Sequence, residues 1–74
     1  MKAITLKRST LKRVLTRMRY DGTLEAFTSR VSLVSREGSF SYLYFDSLSD
    51  LCAVSILLSS YNSVYAVIIT DSHK

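Results

Sequence analysis

The chain opens on an alternation. In "KAITLK" Ile4 and Leu6 fall on one side and Thr5 and Lys7 on the other, which is the period of a half-buried strand. The period then lengthens. In "TLKRVLTRMRYDG" Leu11, Val14, Leu15 and Met18 recur at i, i+3, i+4 and i+7 and share an apolar arc of about 100° on a helix. Ser9 or Thr10 is the expected N-cap of that helix. Gly22 is its expected stop, because glycine takes the left-handed conformation that closes a helix.

The next segment, "TLEAFTSRVSLVSRE", returns to period two, with Phe27, Val31 and Leu33 on one face and Arg30, Ser32 and Arg36 on the other, and so predicts a second strand. In "SFSYLYFD" Phe40, Tyr42 and Tyr44 alternate with Ser41, Leu43 and Phe45, which predicts a third. Between them "REGSF" signals a hairpin with a two-residue turn, Gly38 first and Ser39 second, since the primed turn that suits twisted strands wants glycine there. That register sets Leu33 near Tyr42 or Tyr44 and makes one hairpin face apolar and aromatic. The other face, with Val34, Leu43 and Phe45 among serine and arginine, is mixed.

"DSLSDLCAVSILLSS" predicts a second helix, capped by Asp46 or by Ser47, the latter approximating a capping box with Asp50. Leu48, Leu51, Cys52, Ser55 and Leu58 make one face, but Val54, Ile56 and Leu57 spread apolar surface almost all the way round. Such a helix is deeply buried or covered by another molecule. The continuous apolar run from Val64 to Ile69 predicts a last strand covered on both faces or lying in the middle of a sheet.

Strand, helix, strand, strand, helix, strand predicts a single small α+β domain over residues 1–74. Its expected form is a four-stranded antiparallel sheet with two helices in the ferredoxin-like βαββαβ order. One feature sits badly with that layout, which would put the last and most apolar strand at an edge. Either the strand order differs, or that edge and the free sheet face meet a partner.

Length tightens the picture, because at 74 residues a core gives only a thin margin of stability and leaves little room for a deep cleft. The lone Cys52 cannot form an internal disulfide, and its setting in "LCAVSILL" predicts a buried thiol in a reducing compartment. The run from Leu48 to Leu58 is too short to span a bilayer, and no apolar stretch follows "MKAITLKR" as in a signal peptide. A cytoplasmic protein without membrane contact is expected.

Catalytic chemistry finds few footholds. One cysteine and one histidine, His73, do not make a tetrahedral metal site, no "GxSxG" turn surrounds a serine, and Gly22 and Gly38 each suit a turn rather than a phosphate loop. Asp46 and Asp50 fit helix capping. Neither enzymatic activity nor a cofactor is expected.

Charge is the most uneven property. Residues 1–19 hold Lys2, Lys7, Arg8, Lys12, Arg13, Arg17 and Arg19 and no acid, whereas the rest of the chain is net acidic, for an overall charge of +4. Lys12, Arg13, Arg17 and Arg19 lie opposite the apolar arc of the first helix. They could face solvent, an acidic protein surface or nucleic acid, or be partly neutralised by Asp21, Glu25 or Asp46. Phe40, Tyr42 and Tyr44 invite comparison with sheet aromatics that stack RNA bases. "SFSYLYF" nevertheless lacks the basic-glycine lead of that signature, so these rings are expected to pack beneath the helices.

In layout the chain resembles several small phage-encoded inhibitors, among them some anti-CRISPR proteins and polymerase inhibitors. The likeness lies in an acid-poor N-terminal segment, a glycine-turned hairpin, the "DSLSDL" helix entry and a closing apolar strand, and no functional residue carries over from it. It implies a non-catalytic, stoichiometric binder of a host protein complex. The charge pattern of the chain itself then offers Lys12, Arg13, Arg17 and Arg19 to steer such an encounter. Exposed members of Tyr42, Tyr44, Leu57 and Tyr61 would provide the desolvated contact. A small nucleic-acid binder using the 9–20 helix is the alternative, and self-association as a homodimer fits the surplus apolar surface.

Overall fold

Ile4 and Leu6, the apolar pair of the opening strand, turn out to organise the core. The computed structural model describes residues 1–70, in which β1 (Lys2–Lys7) runs directly into α1 (Arg8–Asp21), followed by α2 (Leu24–Thr28), β2 (Leu33–Glu37), β3 (Phe40–Tyr44), α3 (Leu48–Ser60) and β4 (Ala66–Ile69). The strands form one antiparallel sheet in the order β2-β3-β1-β4. This is a small α+β domain with three helices, where the sequence pattern predicted two.

The added helix is α2, in a segment read as strand. Leu24 and Phe27 stand three apart in "LEAFT", which opens on the good helix formers Leu24, Glu25 and Ala26, and Phe27 is buried at 3% exposure while Leu24 packs against the core. One helical turn buries both side chains, which alternation could not. β2 accordingly begins only at Leu33, with Ser32 N–H donating to the Tyr44 carbonyl at 2.8 Å.

α1 buries Leu11, Val14 and Met18, leaves Leu15 partly buried, and closes at Gly22, whose φ of 78° is the left-handed value anticipated. Its start differs from expectation. Lys7 takes the cap position with no side-chain hydrogen bond, and the Arg8 N–H instead donates to the Ser39 carbonyl of the hairpin turn at 2.9 Å. Backbone from the β2–β3 turn thus replaces the hydroxyl cap expected from Ser9 or Thr10.

The hairpin turn is as the pattern required. Glu37 pairs with Phe40, Gly38 has φ 61°, and Ser39 is not among the positive-φ residues, which gives the primed turn with glycine first.

Which face of the hairpin is buried is the reverse of expectation. Register pairs Ile4 with Leu43 and Leu6 with Ser41, so Ser41, Leu43 and, just beyond the strand, Phe45 are the residues buried under the helices. Phe40, Tyr42 and Tyr44 point to the side that no helix covers. β1 decides the matter: its large apolar residues must share the core face, and pairing carries that choice to β3.

On α3 the Ser47 hydroxyl accepts from the Asp50 N–H at 3.1 Å, while the Asp50 carboxylate pairs with Arg30 at 3.2 Å instead of returning to the cap. Its inward side is Leu51, Val54 and Leu58, at i, i+3 and i+7. The expected face is therefore rotated, and Leu48, Cys52 and Ile56 face solvent. Cys52 is exposed, not buried. After α3, Asn62 takes the left-handed φ of 55°, a role that often falls to glycine.

β4 is a four-residue edge strand paired with β1 alone, and Val67 and Ile69 are 44% and 58% exposed. The apolar run is thus neither central nor covered on both faces. β4 therefore lies at one edge of the sheet and β2 at the other.

Candidate functional site

The helix-covered side of the sheet is filled by Ile4, Leu6 and Leu43 packing against Leu11, Val14, Met18, Phe27, Leu51, Val54 and Leu58. The opposite side has no layer above it among the described residues. Strand pairing places Leu33, Tyr44, Ala3 and Ile68 across it in one row, Ser35, Tyr42, Thr5 and Ala66 in a second, and Glu37, Phe40 and Lys7 in a third. Leu33 and Phe40 are 60% and 44% exposed, Tyr42 and Tyr44 are half-buried, and the two tyrosine rings stack with centroids 6.5 Å apart and planes 21° from parallel. Lys7 and Glu37 are the charges in these rows, one of each sign. Thr5 Oγ1, buried without a hydrogen-bond partner among the described residues, belongs to the same face.

Lys12, Arg13, Arg17 and Arg19 are exposed on α1, as their spacing implied, and none makes an ion pair among the described residues. Asp21, Glu25 and Asp46 form no ion pair with them there, although Asp21 borders the same cleft as Arg13 and Arg17. At about 100° per residue the four do not form one face. Lys12 and Arg19 lie close to one line, and Arg13 and Arg17 lie along another. Lys12 borders a cleft of about 890 Å³ shared with Lys7, Arg8 and Arg36. Arg13 and Arg17 border a cleft of about 400 Å³ with Asp21 and Tyr61.

Tyr61 is a structural pin. Its hydroxyl donates to Asp21 Oδ2 at 2.8 Å and lies 2.8 Å from Thr23 Oγ1, which ties the C-terminal ends of α1 and α3 together. Leu57 is partly buried and lines an apolar groove of about 220 Å³ between α2 and α3. The sequence-selected residues therefore do not form one site. Tyr42 and Tyr44 share the open sheet face, Arg13, Arg17 and Tyr61 share a cleft on the helical side, and Leu57 stands apart.

Tyr65 has a separate environment. Its hydroxyl lies 2.7 Å from both Ser55 Oγ and Ser59 Oγ and donates to the Ser55 carbonyl at 3.1 Å. The hydrogen bond with Ser55, then that with Ser59, holds the phenol below the ordinary tyrosine range, against a smaller upward push from burial.

Two contributors escaped the sequence selection. Leu33 and Phe40 complete the open face, and the signal for them was present in the match between Leu43 and the Ile4–Leu6 alternation. Arg8, Arg36 and Ser41 also meet, at the larger cleft, where no sequence spacing joins them.

Comparison of the chain with protein families, with curated proteins and with solved structures gives no match. Among the described residues no helix is long and apolar enough to cross a membrane.

Proposed function

We propose that this protein acts by binding, without chemistry of its own. It presents the open face of its sheet to a protein of net negative charge and blocks, one to one, a contact that this partner would otherwise make. The observation that carries the reading is the alignment of Leu33, Phe40, Tyr42 and Tyr44 on the side of the sheet that no helix covers. Aromatic residues dominate the energetic centres of protein interfaces because they bury large rigid areas at small entropic cost. Charge supplies the partner's sign only at long range, since the net charge of +4 draws an acidic surface toward the chain as a whole. The face itself holds one Lys and one Glu, so contact there asks little desolvation of charge.

The specific form proposed is a small phage-encoded or mobile-element inhibitor of a host complex, of the anti-CRISPR kind, on a ferredoxin-like framework to which α2 is an addition. Nucleic acid through α1 is the weaker reading. Stacking on the sheet would need phosphate contacts on the same side, yet Lys12, Arg13, Arg17 and Arg19 project from the helical layer.

A photoreactive residue placed at position 42, and separately at position 17, tests the proposal in the cells where the protein acts. It expects a one-to-one adduct at position 42 with a different, acidic protein, lost when Leu33→Asp is added. Nucleic-acid adducts at position 17 with none at position 42 would overturn it, as would adducts at position 42 with a second copy alone.

A further inference from the structure

The start of α1 and the β2–β3 turn border a cleft of about 890 Å³ lined by Lys7, Arg8, Lys12 and Arg36, with Ser9, Ser39 and Ser41 between them and no acidic residue in its lining among the described residues. Arg8 and Lys12 from α1 and Arg36 from β2 thus converge on one concavity, while the Lys7 side chain belongs to the open sheet face. The first turn of α1 contains no acid, and its cap position supplies no side-chain hydrogen bond. Arg8 N–H is taken by the Ser39 carbonyl, but the next N–H groups of the turn have no intrahelical acceptor, and the helix dipole puts positive potential where they point. Arg8 Nη1 reaches the Gly38 carbonyl at 3.3 Å, which leaves most of its guanidinium donors free.

Ser41 supplies an independent sign of a ligand. It is 2% exposed and shares the helix-facing side of the sheet with its neighbours Leu6 and Arg36. Its hydroxyl makes no hydrogen bond among the described residues, yet it is not a sealed-off group, and the residue lines the cleft. The Ser41 hydroxyl, at the floor of the cleft near Arg8, Lys12 and Arg36, is thus available to a ligand there.

We infer that this cleft binds a phosphate group carried by a nucleotide-sized ligand. Arg8, Arg36 and Lys12 would neutralise the phosphate, the Ser41 hydroxyl and the free N–H groups of the first α1 turn would hydrogen-bond it, and the Leu11 and Leu15 side chains form an apolar wall for the attached group. The volume lies within the range of small-ligand sites, about 300 to 1,000 Å³. Arginine suits the task because its fork of donors matches phosphate oxygens in pairs. The phosphate could belong to a free nucleotide or to the backbone of a nucleic acid, and the experiment separates the two. The site is on the helical side, so it stands independently of the open sheet face.

Amide chemical shifts of the isotopically labelled protein, followed during titration with inorganic phosphate, adenosine monophosphate and a short single-stranded oligonucleotide, provide the test. Saturable shifts confined to residues 8–12 and 36–41 are expected. Lys12→Glu or Arg36→Glu should weaken binding of each probe about tenfold or more, and Ser41→Ala several-fold with the fold intact, as charge-assisted hydrogen bonds imply. Arg13→Glu with Arg17→Glu should bind inorganic phosphate as the unaltered protein does. Tighter saturation by the monophosphate identifies a free nucleotide, and tighter saturation by the oligonucleotide a nucleic-acid backbone. No saturable shift with any probe overturns the inference, and so does an equal loss in the Arg13→Glu, Arg17→Glu variant, which would show diffuse attraction rather than a site.

Discussion

Tyr42 and Leu43 are neighbours in β3 with opposite surroundings: Leu43 is fully buried beneath the helices, while Tyr42 stacks on Tyr44 on the side of the sheet that no helix of the described residues covers. The same strand therefore serves as core and as contact surface. Replacing Tyr42 and Tyr44 together by Ser should cost little, about 1 to 2 kcal/mol from lost cross-strand contacts. Leu43→Ala should cost about 2 to 5 kcal/mol through lost burial and a cavity. Denaturant unfolding measures both, and the reverse order would mean that the rings are the buried set.

Tyr61 fastens the end of α3 to the end of α1 through Asp21 and Thr23. Tyr61→Phe removes the hydroxyl and keeps the ring, so it should lower stability by about 1 kcal/mol, the net value of such bonds near a surface. An Asp21→Asn variant tested with it in a double-mutant cycle should show coupling. Strict additivity would show that the two do not interact.

Tyr65 titrates below the ordinary tyrosine value of 10.0 because hydrogen bonds with Ser55 first and Ser59 second favour its ionised form. Ser55→Ala should move its ultraviolet-detected midpoint back upward. The folded value is depressed, so the associated stability is present in full above the unfolded value and is lost as pH falls through the folded value. Between the two, this residue makes stability rise with pH. A midpoint unmoved by Ser55→Ala would remove the assigned cause.

Cys52 faces solvent on the outer side of α3. A thiol reagent should label it in the native state at nearly the rate of an unstructured cysteine peptide, with no acceleration on adding denaturant. Protection released only by unfolding would return it to the core.

Much of this fold was legible where one pattern dominated. Ile4 and Leu6 marked β1, Leu11, Val14 and Met18 marked the inner face of α1, Gly38 marked the hairpin turn and Ser47 the start of α3. Failures came where the chain offers a local pattern and tertiary pairing decides. Phe27 alternates with Val31 and Leu33 as a strand residue would, yet it also stands three residues from Leu24, and a five-residue helix is too short to declare its period. The alternation in β3 defines two faces without saying which is covered, and the answer lies some forty residues away in the pairing of Ile4 with Leu43. An apolar run such as Val64 to Ile69 reads alike at the centre and at the edge of a sheet. The basic residues of α1 were visible as cations, but their division between two clefts depends on Arg36 and Tyr61 from other elements.

The proposed mode of action depends on a bare aromatic sheet face, and access of a soluble paramagnetic agent to side-chain protons measures this directly, at a dilution where light scattering gives a monomer mass. Strong relaxation at Phe40, Tyr42 and Tyr44 and weak relaxation at Ile4, Leu43 and Met18 is the predicted result. Protected aromatic rings in the monomer, with Leu43 accessible, would contradict it.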